Sequence, residues 1–428
     1  NIIYPISTLY TINVSELNYT VSDSLGAESC WYSNSSGRWN STLVVAGINF
    51  TNVTSREGNN TWTVYCNNTA GNIRGASVFF TKDTISPNGT LISPLNNSFV
   101  NNATQNMTLN ASDLTSLSNA TLFIYNSSNS LVNQTTRIIN GGTQALVGIV
   151  YNFLYDGVFT WFYRIVDIGN YEFTTVNNTI TIDRVSPLVE IFSPLNITYG
   201  SGSAILFNFT LDESGTCTYS LNGGLTNRTM TANSSRTEFI ATNSSIADGN
   251  YLVNAYCNDS AGNRNYSVSQ TFSVNTTAPR VTIISPINGQ NYSNSTIHFN
   301  ATLNEDGNIC RFTLNNWQTN YTMDAFNFTY FNYTNISVND GNYLARFWCN
   351  DSLNNANGTS TVNFSVDTLF PQISYSTGTA VDGANLSQTF VYINVSLVEA
   401  NLMNITYTLF NNTGLVNQTT FFSAITQI

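Results

Sequence analysis

The sequence predicts an all-β chain, a tandem array of similar β-sandwich modules, and three observations predict it. All eight prolines fall into two recurring slots. Pro87, Pro187, Pro279 and Pro371 end the steps that begin at Asp83, Asp183, Asn275 and Asp367; seven residues later Pro94, Pro194 and Pro286 close Ser-Pro dipeptides, and Pro5 fills that slot at the start. The six cysteines fall into pairs, Cys30/Cys66, Cys217/Cys257 and Cys310/Cys349, in matching contexts. Between these marks, aromatic and β-branched residues alternate with polar ones, the period of a half-buried strand.

The linker prolines step by 100, 92 and 92 residues. Proline lacks a backbone donor and fixes φ, so a spacing this regular marks module boundaries rather than core strand positions. Modules are expected at 1–82, 83–182, 183–274, 275–366 and 367–428, the last stopping near the middle of a repeat. Charged residues make up 9% of the chain and the net charge is −11. Lys82 is the one lysine. Such a surface offers no basic patch to hold nucleic acid. Asparagine-rich tracts can be disordered, but regular alternation with aromatic residues argues for folded sheets.

Metal sites built on cysteine want closely spaced Cys/His ligands. These pairs lie 36, 40 and 39 residues apart in a chain with one histidine. They read as disulfides, which place the chain in an oxidising, extracytoplasmic compartment. After the turns Asp248-Gly-Asn-Tyr and Asp340-Gly-Asn-Tyr, alternation puts Val253, Ala255 and Cys257, and Ala345, Phe347 and Cys349, on one inward face. With about seven strands per module, the bridges would join the third and sixth, neighbours in an immunoglobulin-type sandwich. The second module has no cysteine, and counting from the turn aspartate Asp156 and from Tyr125 gives Ile165 and Phe123 as the apolar replacement. The fifth module resembles the second, since Leu131-Val-Asn-Gln-Thr-Thr recurs from Leu415.

Repeated turns at Asn67-Asn-Thr-Ala-Gly-Asn, Asp167-Ile-Gly-Asn, Asn258-Asp-Ser-Ala-Gly-Asn and Asn350-Asp-Ser-Leu-Asn-Asn read as hairpins before a final strand. Together with the linker Asp-Thr-x-x-Pro and the Asp-Gly-Asn-Tyr turn, this set resembles the tandem immunoglobulin-like modules of prokaryotic, especially archaeal, cell-surface glycoproteins. The resemblance covers nearly the whole chain. It implies a secreted or surface-anchored spacer, adhesin or envelope component, and no particular chemistry, because this sandwich hosts many roles.

About 40 Asn-x-Ser/Thr triplets occur, none with proline in the middle. The acceptors singled out for N-glycosylation are Asn18, Asn40, Asn49, Asn52, Asn59 and Asn67 in the first module and Asn88, Asn102, Asn106, Asn119, Asn133 and Asn177 in the second. Asn196, Asn208 and Asn227 follow in the third, then Asn275, Asn294, Asn300, Asn320, Asn327, Asn332 and Asn357 in the fourth. Asn404, Asn411 and Asn417 complete the set. Polar-out alternation enriches such triplets in strands, as in Asn208-Phe-Thr, but it does not explain loop cases such as Asn227-Arg-Thr. A charge-poor sandwich with open edges gains hydration and bulk from covalent sugars.

No phosphate loop, nucleophile elbow or zinc motif is present, and His298 alternates outward in its strand, so no catalytic residue is expected. Lys–Asn isopeptide cross-links would have only Lys82 to draw on. Calcium at the module junctions is the one cofactor the sequence offers. The turn before a last strand lies at the pole where its module begins, so Asp183 and Asp259 approach, as would Asp367 with the completed fifth module. One aspartate per side is thin for an ion that takes about six to eight oxygens, and turn hydrogen bonds explain the pattern without it.

No stretch reads as a membrane span or signal peptide, and the chain reads as a mature or partial piece. The fifth module is expected to be completed by further chain or by a strand from a neighbouring subunit. The expected function is a non-enzymatic structural cell-surface glycoprotein whose repeats form a filament, stalk or surface-layer lattice, self-assembling or joining other envelope proteins. The alternative is an adhesin attaching to cells or carbohydrate surfaces.

Overall fold

A computed structural model describes residues 1–34, 38–200, 202–399 and 401–422. Among the described residues every regular element is a β-strand. They divide into two compact units, Asn1–Ser193 with Phe207–Ala241 and Val253–Ser269, and Pro194–Leu206 with Thr242–Leu252 and Gln270–Ile428.

The first unit holds two complete sandwiches. In the first, Ile2–Tyr4, Glu16–Tyr19 and Phe50–Thr51 form one sheet, and Leu9–Tyr10, Ile73–Lys82, Gly58–Asn68, Ala27–Ser33 and Val44–Val45 the other, in those orders. In the second, Gln144–Asn152, Thr104–Ser112 and Asn88–Ser93 face a sheet ordered Ser98–Val100, Asn178–Ile182, Gly157–Asp167, Leu117–Asn126 and Leu131–Ile138. The first strand divides between the two sheets, and the third lies beside the sixth. This is the strand order of an immunoglobulin-type sandwich. The same unit pairs Val189 with Leu211 and Cys217 with Cys257 in the third repeat.

The second unit carries the fourth repeat in the same order. Val281–Ser285, Ile297–Leu303, Tyr330–Asn335 and Asp324–Asn327 form one sheet, and Gln290–Tyr292, Ala356–Val366, Gly341–Asp351, Gly307–Thr313 and Tyr321–Thr322 the other. Beyond it, Gln372–Tyr375 pairs with Val395–Val398, and Ile405–Asn411 with Gly414–Phe421. The final residues assigned to a fifth module, 423–428, lie outside the described residues.

The second proline slot has a place of its own in the fold. Pro5, Pro94 and Pro286 sit inside their sandwiches, between the two halves of the divided first strand. A residue with no N–H to give suits the point where the chain leaves one ladder for the other. The second half-strand runs parallel to the last strand, as Ser98–Val100 does against Asn178–Ile182. A tyrosine on that half-strand holds the switch: Ile6 N–H donates to Tyr10 Oη at 2.9 Å and Ile287 N–H to Tyr292 Oη at 3.0 Å.

Inward residues of both sheets make each core. In the second repeat Met107, Leu109, Leu122, Trp161, Tyr163 and Ile165 are all fully buried. The fourth buries Phe299, Phe312, Phe347 and both cysteines, with the Phe299 and Phe312 rings stacked at 3.9 Å. Strand alternation alone selects these residues, because every second side chain faces the opposite sheet.

Candidate functional site

Three disulfides join Cys30 to Cys66, Cys217 to Cys257 and Cys310 to Cys349, with Cα atoms 4.1, 4.2 and 4.1 Å apart. Each links the third strand to the sixth within one sheet, at residues directly opposite in the ladder. No free cysteine is found among the described residues. The outward neighbours form a second layer of contacts. Trp31 stacks on Tyr65 at 5.7 Å, and the Arg311 guanidinium lies 5.9 Å over the Trp348 ring.

The second repeat corrects the replacement pair. Ile165 stands opposite Ala120, both fully buried, while Phe123 stands opposite Phe162 on the other face and stacks on it at 5.2 Å. Arg164 covers Phe123 at 5.7 Å. The turn aspartate fixes the register: Asp167 and Asp259 each lie two residues past the position in question, and counting back from both aligns Ile165 with Cys257.

None of the singled-out acceptor asparagines is buried. In the strand cases the middle residue does turn inward: Tyr19, Phe209, Ala301 and Phe364 are at most 5% exposed. Several acceptors stand among exposed apolar side chains. Asn106 pairs with Val150 on the open edge strand Gln144–Asn152, and Val150 is 66% exposed. Asn327 lies between Phe326 and Phe328, 79% and 70% exposed. Asn196 lies between exposed Leu195 and Ile197. Two acceptors also hold linkers or strands through Nδ2, Asn357 to Pro279 O at 3.1 Å and Asn208 to Glu238 Oε1 at 3.2 Å.

His298 is exposed, with Nδ1 2.9 Å from Thr334 Oγ1. Lys82 is buried and pairs with Glu57 at 3.3 Å. Although burial opposes it, the hydrogen bonds from Thr84 and Lys82 hold the Glu57 carboxyl below its ordinary range.

The linkers are gripped from both sides. The aspartate of each Asp-Gly-Asn-Tyr turn accepts from the residues just past the last strand. Asp340 Oδ1 takes Thr368 N–H at 3.0 Å and its hydroxyl at 2.9 Å, and Asp248 Oδ1 takes both donors of Thr276 at 2.7 Å. Glycine follows because the next residue needs φ of +151° at Gly341 and +152° at Gly249. From the other side the last hairpin turn of the following sandwich reaches back. Asn263 Nδ2 donates to Asp183 O at 2.9 Å, and Asn355 Nδ2 to Asn275 O at 2.8 Å.

This grip assembles acidic clusters. Asp183 and Asp259, singled out from the sequence, do approach, and Glu213 joins them with one oxygen of each within 4.8 Å. Burial first, then the charges of Asp183, Asp259 and Asp212, push the Glu213 carboxyl up to about 7, and it hydrogen-bonds Asp183. Asp259 is closed by Asn263, whose N–H and Nδ2 donate to its two oxygens at 2.9 and 2.7 Å. Asp367 Oδ2 takes Asn401 Nδ2 at 2.9 Å. A second cluster, Asp83, Asp113 and Asp167, was not anticipated. Its missing signal was an acidic residue two past the last inward residue of the second strand, at Ala111-x-Asp113 and Leu211-x-Glu213.

No protein-family model matches the chain, and no curated protein matches its sequence. Among solved structures it is similar to a four-domain ectodomain fragment of ICAM-5, at 12% identity and a TM-score of 0.39, over 86% of this chain and 98% of that one. It is similar to a tetra-tandem repeat from the extending region of a large adhesion protein, at 17% identity and a TM-score of 0.26, over 83% and 95%. A three-domain fragment of chicken CNTN1 gives 11% identity and a TM-score of 0.24, over 66% and 98%. The fold assignment rests on the strand order described above and not on these likenesses.

Proposed function

We propose that this chain is a non-enzymatic structural glycoprotein of the cell exterior, of the prokaryotic surface type its repeats resemble, serving as a run of spacers in a filament, stalk or surface layer. The observation that carries the reading is the siting of glycan acceptors beside exposed apolar side chains. Val150 opposite Asn106, and Phe326 and Phe328 around Asn327, leave hydrophobic area at open sheet edges that few charges protect. A sugar on each acceptor would cover that area. The disulfides support an oxidising compartment, and no helix of the described residues is long and apolar enough to cross a membrane. Electron imaging of native cell surfaces, with antibody against the chain, tests the role. Label repeating along a filament or lattice supports it; label confined to isolated tips or absent from the exterior overturns it.

A further inference from the structure

Asp83 follows the last strand of the first sandwich, Asp113 follows strand Thr104–Ser112, and Asp167 ends strand Gly157–Asp167. One carboxylate oxygen of each lies within 4.8 Å of the other two. Asp83 and Asp167 are fully buried and Asp113 is 8% exposed. Each carboxylate is oriented by main-chain donors. Thr115 and Ser116 N–H donate to Asp113 Oδ1 at 2.6 and 2.8 Å, Tyr171 N–H to Asp167 Oδ1 at 2.8 Å, and Gly169 N–H to Asp83 Oδ2 at 3.2 Å. A Cβ at Gly169 would be crowded, 3.0 Å from the Tyr171 ring and 3.1 Å from the Asp83 carboxyl carbon. The hairpin thus passes close to that carboxylate.

The remaining oxygens are the informative ones. Asp113 Oδ2 and Asp167 Oδ2 are enclosed and receive no hydrogen bond. Asp83 Oδ1 and the Thr115 hydroxyl are enclosed and likewise receive no hydrogen bond. None of the three ion pairs found among the described residues includes any of the triad. Enclosed carboxylates facing one another without a donor or a cation are strongly unfavourable. The Glu213 cluster differs, because Asn263 occupies both oxygens of Asp259 and Glu213 bonds Asp183. At the next junction the linker residue is Asn275, which removes a charge.

We propose that Asp83, Asp113 and Asp167 form a calcium site. Three hard oxygen donors with no imidazole or thiolate select calcium or a similar hard cation over zinc. Calcium tolerates irregular geometry, whereas magnesium demands a near-ideal octahedron and keeps its waters. The ion would tie the end of the first sandwich to two turns of the second.

Calorimetric titration of the chelator-stripped chain with calcium chloride near neutral pH tests this, read beside thermal melting with and without the ion. One saturable site and a higher melting temperature are expected. Asp113→Asn, which keeps an oxygen for Thr115 and Ser116, should weaken binding more than tenfold, and Glu213→Gln should not change it. Without calcium the same Asp113→Asn change should raise the melting temperature by relieving repulsion, and with calcium it should lower it. Asp167→Asn serves as a second variant should the first fold poorly. Absence of uptake by the stripped chain, or uptake untouched by both variants, overturns the proposal.

Discussion

At one pair of opposed positions the fourth repeat places Cys310 against Cys349, whereas the second places Ala120 against Ile165. The second repeat also has Trp161 and Tyr163 where the fourth has Ala345 and Phe347, six and four residues before Asp167 and Asp351. Tyr163 sends its hydroxyl across the sandwich to Met107 O at 2.8 Å, joining the two sheets. Burial raises its phenol well above the usual range. The disulfide instead links two strands already paired in one sheet. It acts mainly by restricting the unfolded chain, while the Trp-Tyr core acts by filling volume and bonding across the layers in the folded one. One strand order is thus held by two chemistries, and the reducing agent that weakens one should leave the other intact.

The largest effect expected is Trp161→Ala, which empties the centre of the second core and should cost about 3–5 kcal/mol. Hydrogen exchange should show lost protection in Gly157–Asp167 and none lost in Gly341–Asp351. Replacing both Cys310 and Cys349 by alanine should cost about 3–4 kcal/mol, with the reverse pattern of exchange. If reduction also loosened Gly157–Asp167, the contrast would fail. Tyr163→Phe should cost about 1–2 kcal/mol by stranding the Met107 carbonyl, measured by denaturant unfolding at pH 7.

The smallest effect concerns Glu213. Its carboxyl is raised from 4.5 to about 7, burial being the main cause. The folded state therefore holds this proton after the unfolded state has lost it. Its contribution is fully present below pH 4.5 and is lost as pH rises through about 7. Glu213→Gln should flatten that part of the stability profile, and an unchanged slope would remove the cluster from the account.

Much of the fold was legible because its determinants are local. The proline period, the paired cysteines and alternation through Ala345, Phe347 and Cys349 each depend on neighbours in sequence. The pairing of third and sixth strands followed from inward thiols. The role of the second proline slot was not legible, because a strand that changes sheets depends on pairing partners that lie far away in sequence. Phe123 was misplaced by counting from a tyrosine rather than from the turn aspartate that fixes the register. The Asp83 triad was invisible for a physical reason: its members lie 30 and 54 residues apart along the chain, and only the folded junction brings them together. The acceptor triplets were legible, but not that Asn106 and Asn327 sit beside apolar surface, which depends on which strands form the edge.

The central claim, a disulfide-bonded and sugar-coated chain outside the cell, is tested most directly by intact mass and glycopeptide mapping of protein from its native source. The account predicts all six cysteines in the bridges Cys30–Cys66, Cys217–Cys257 and Cys310–Cys349, and glycans on exposed acceptors, Asn106 and Asn327 among them. An unmodified polypeptide mass with reactive thiols would contradict it.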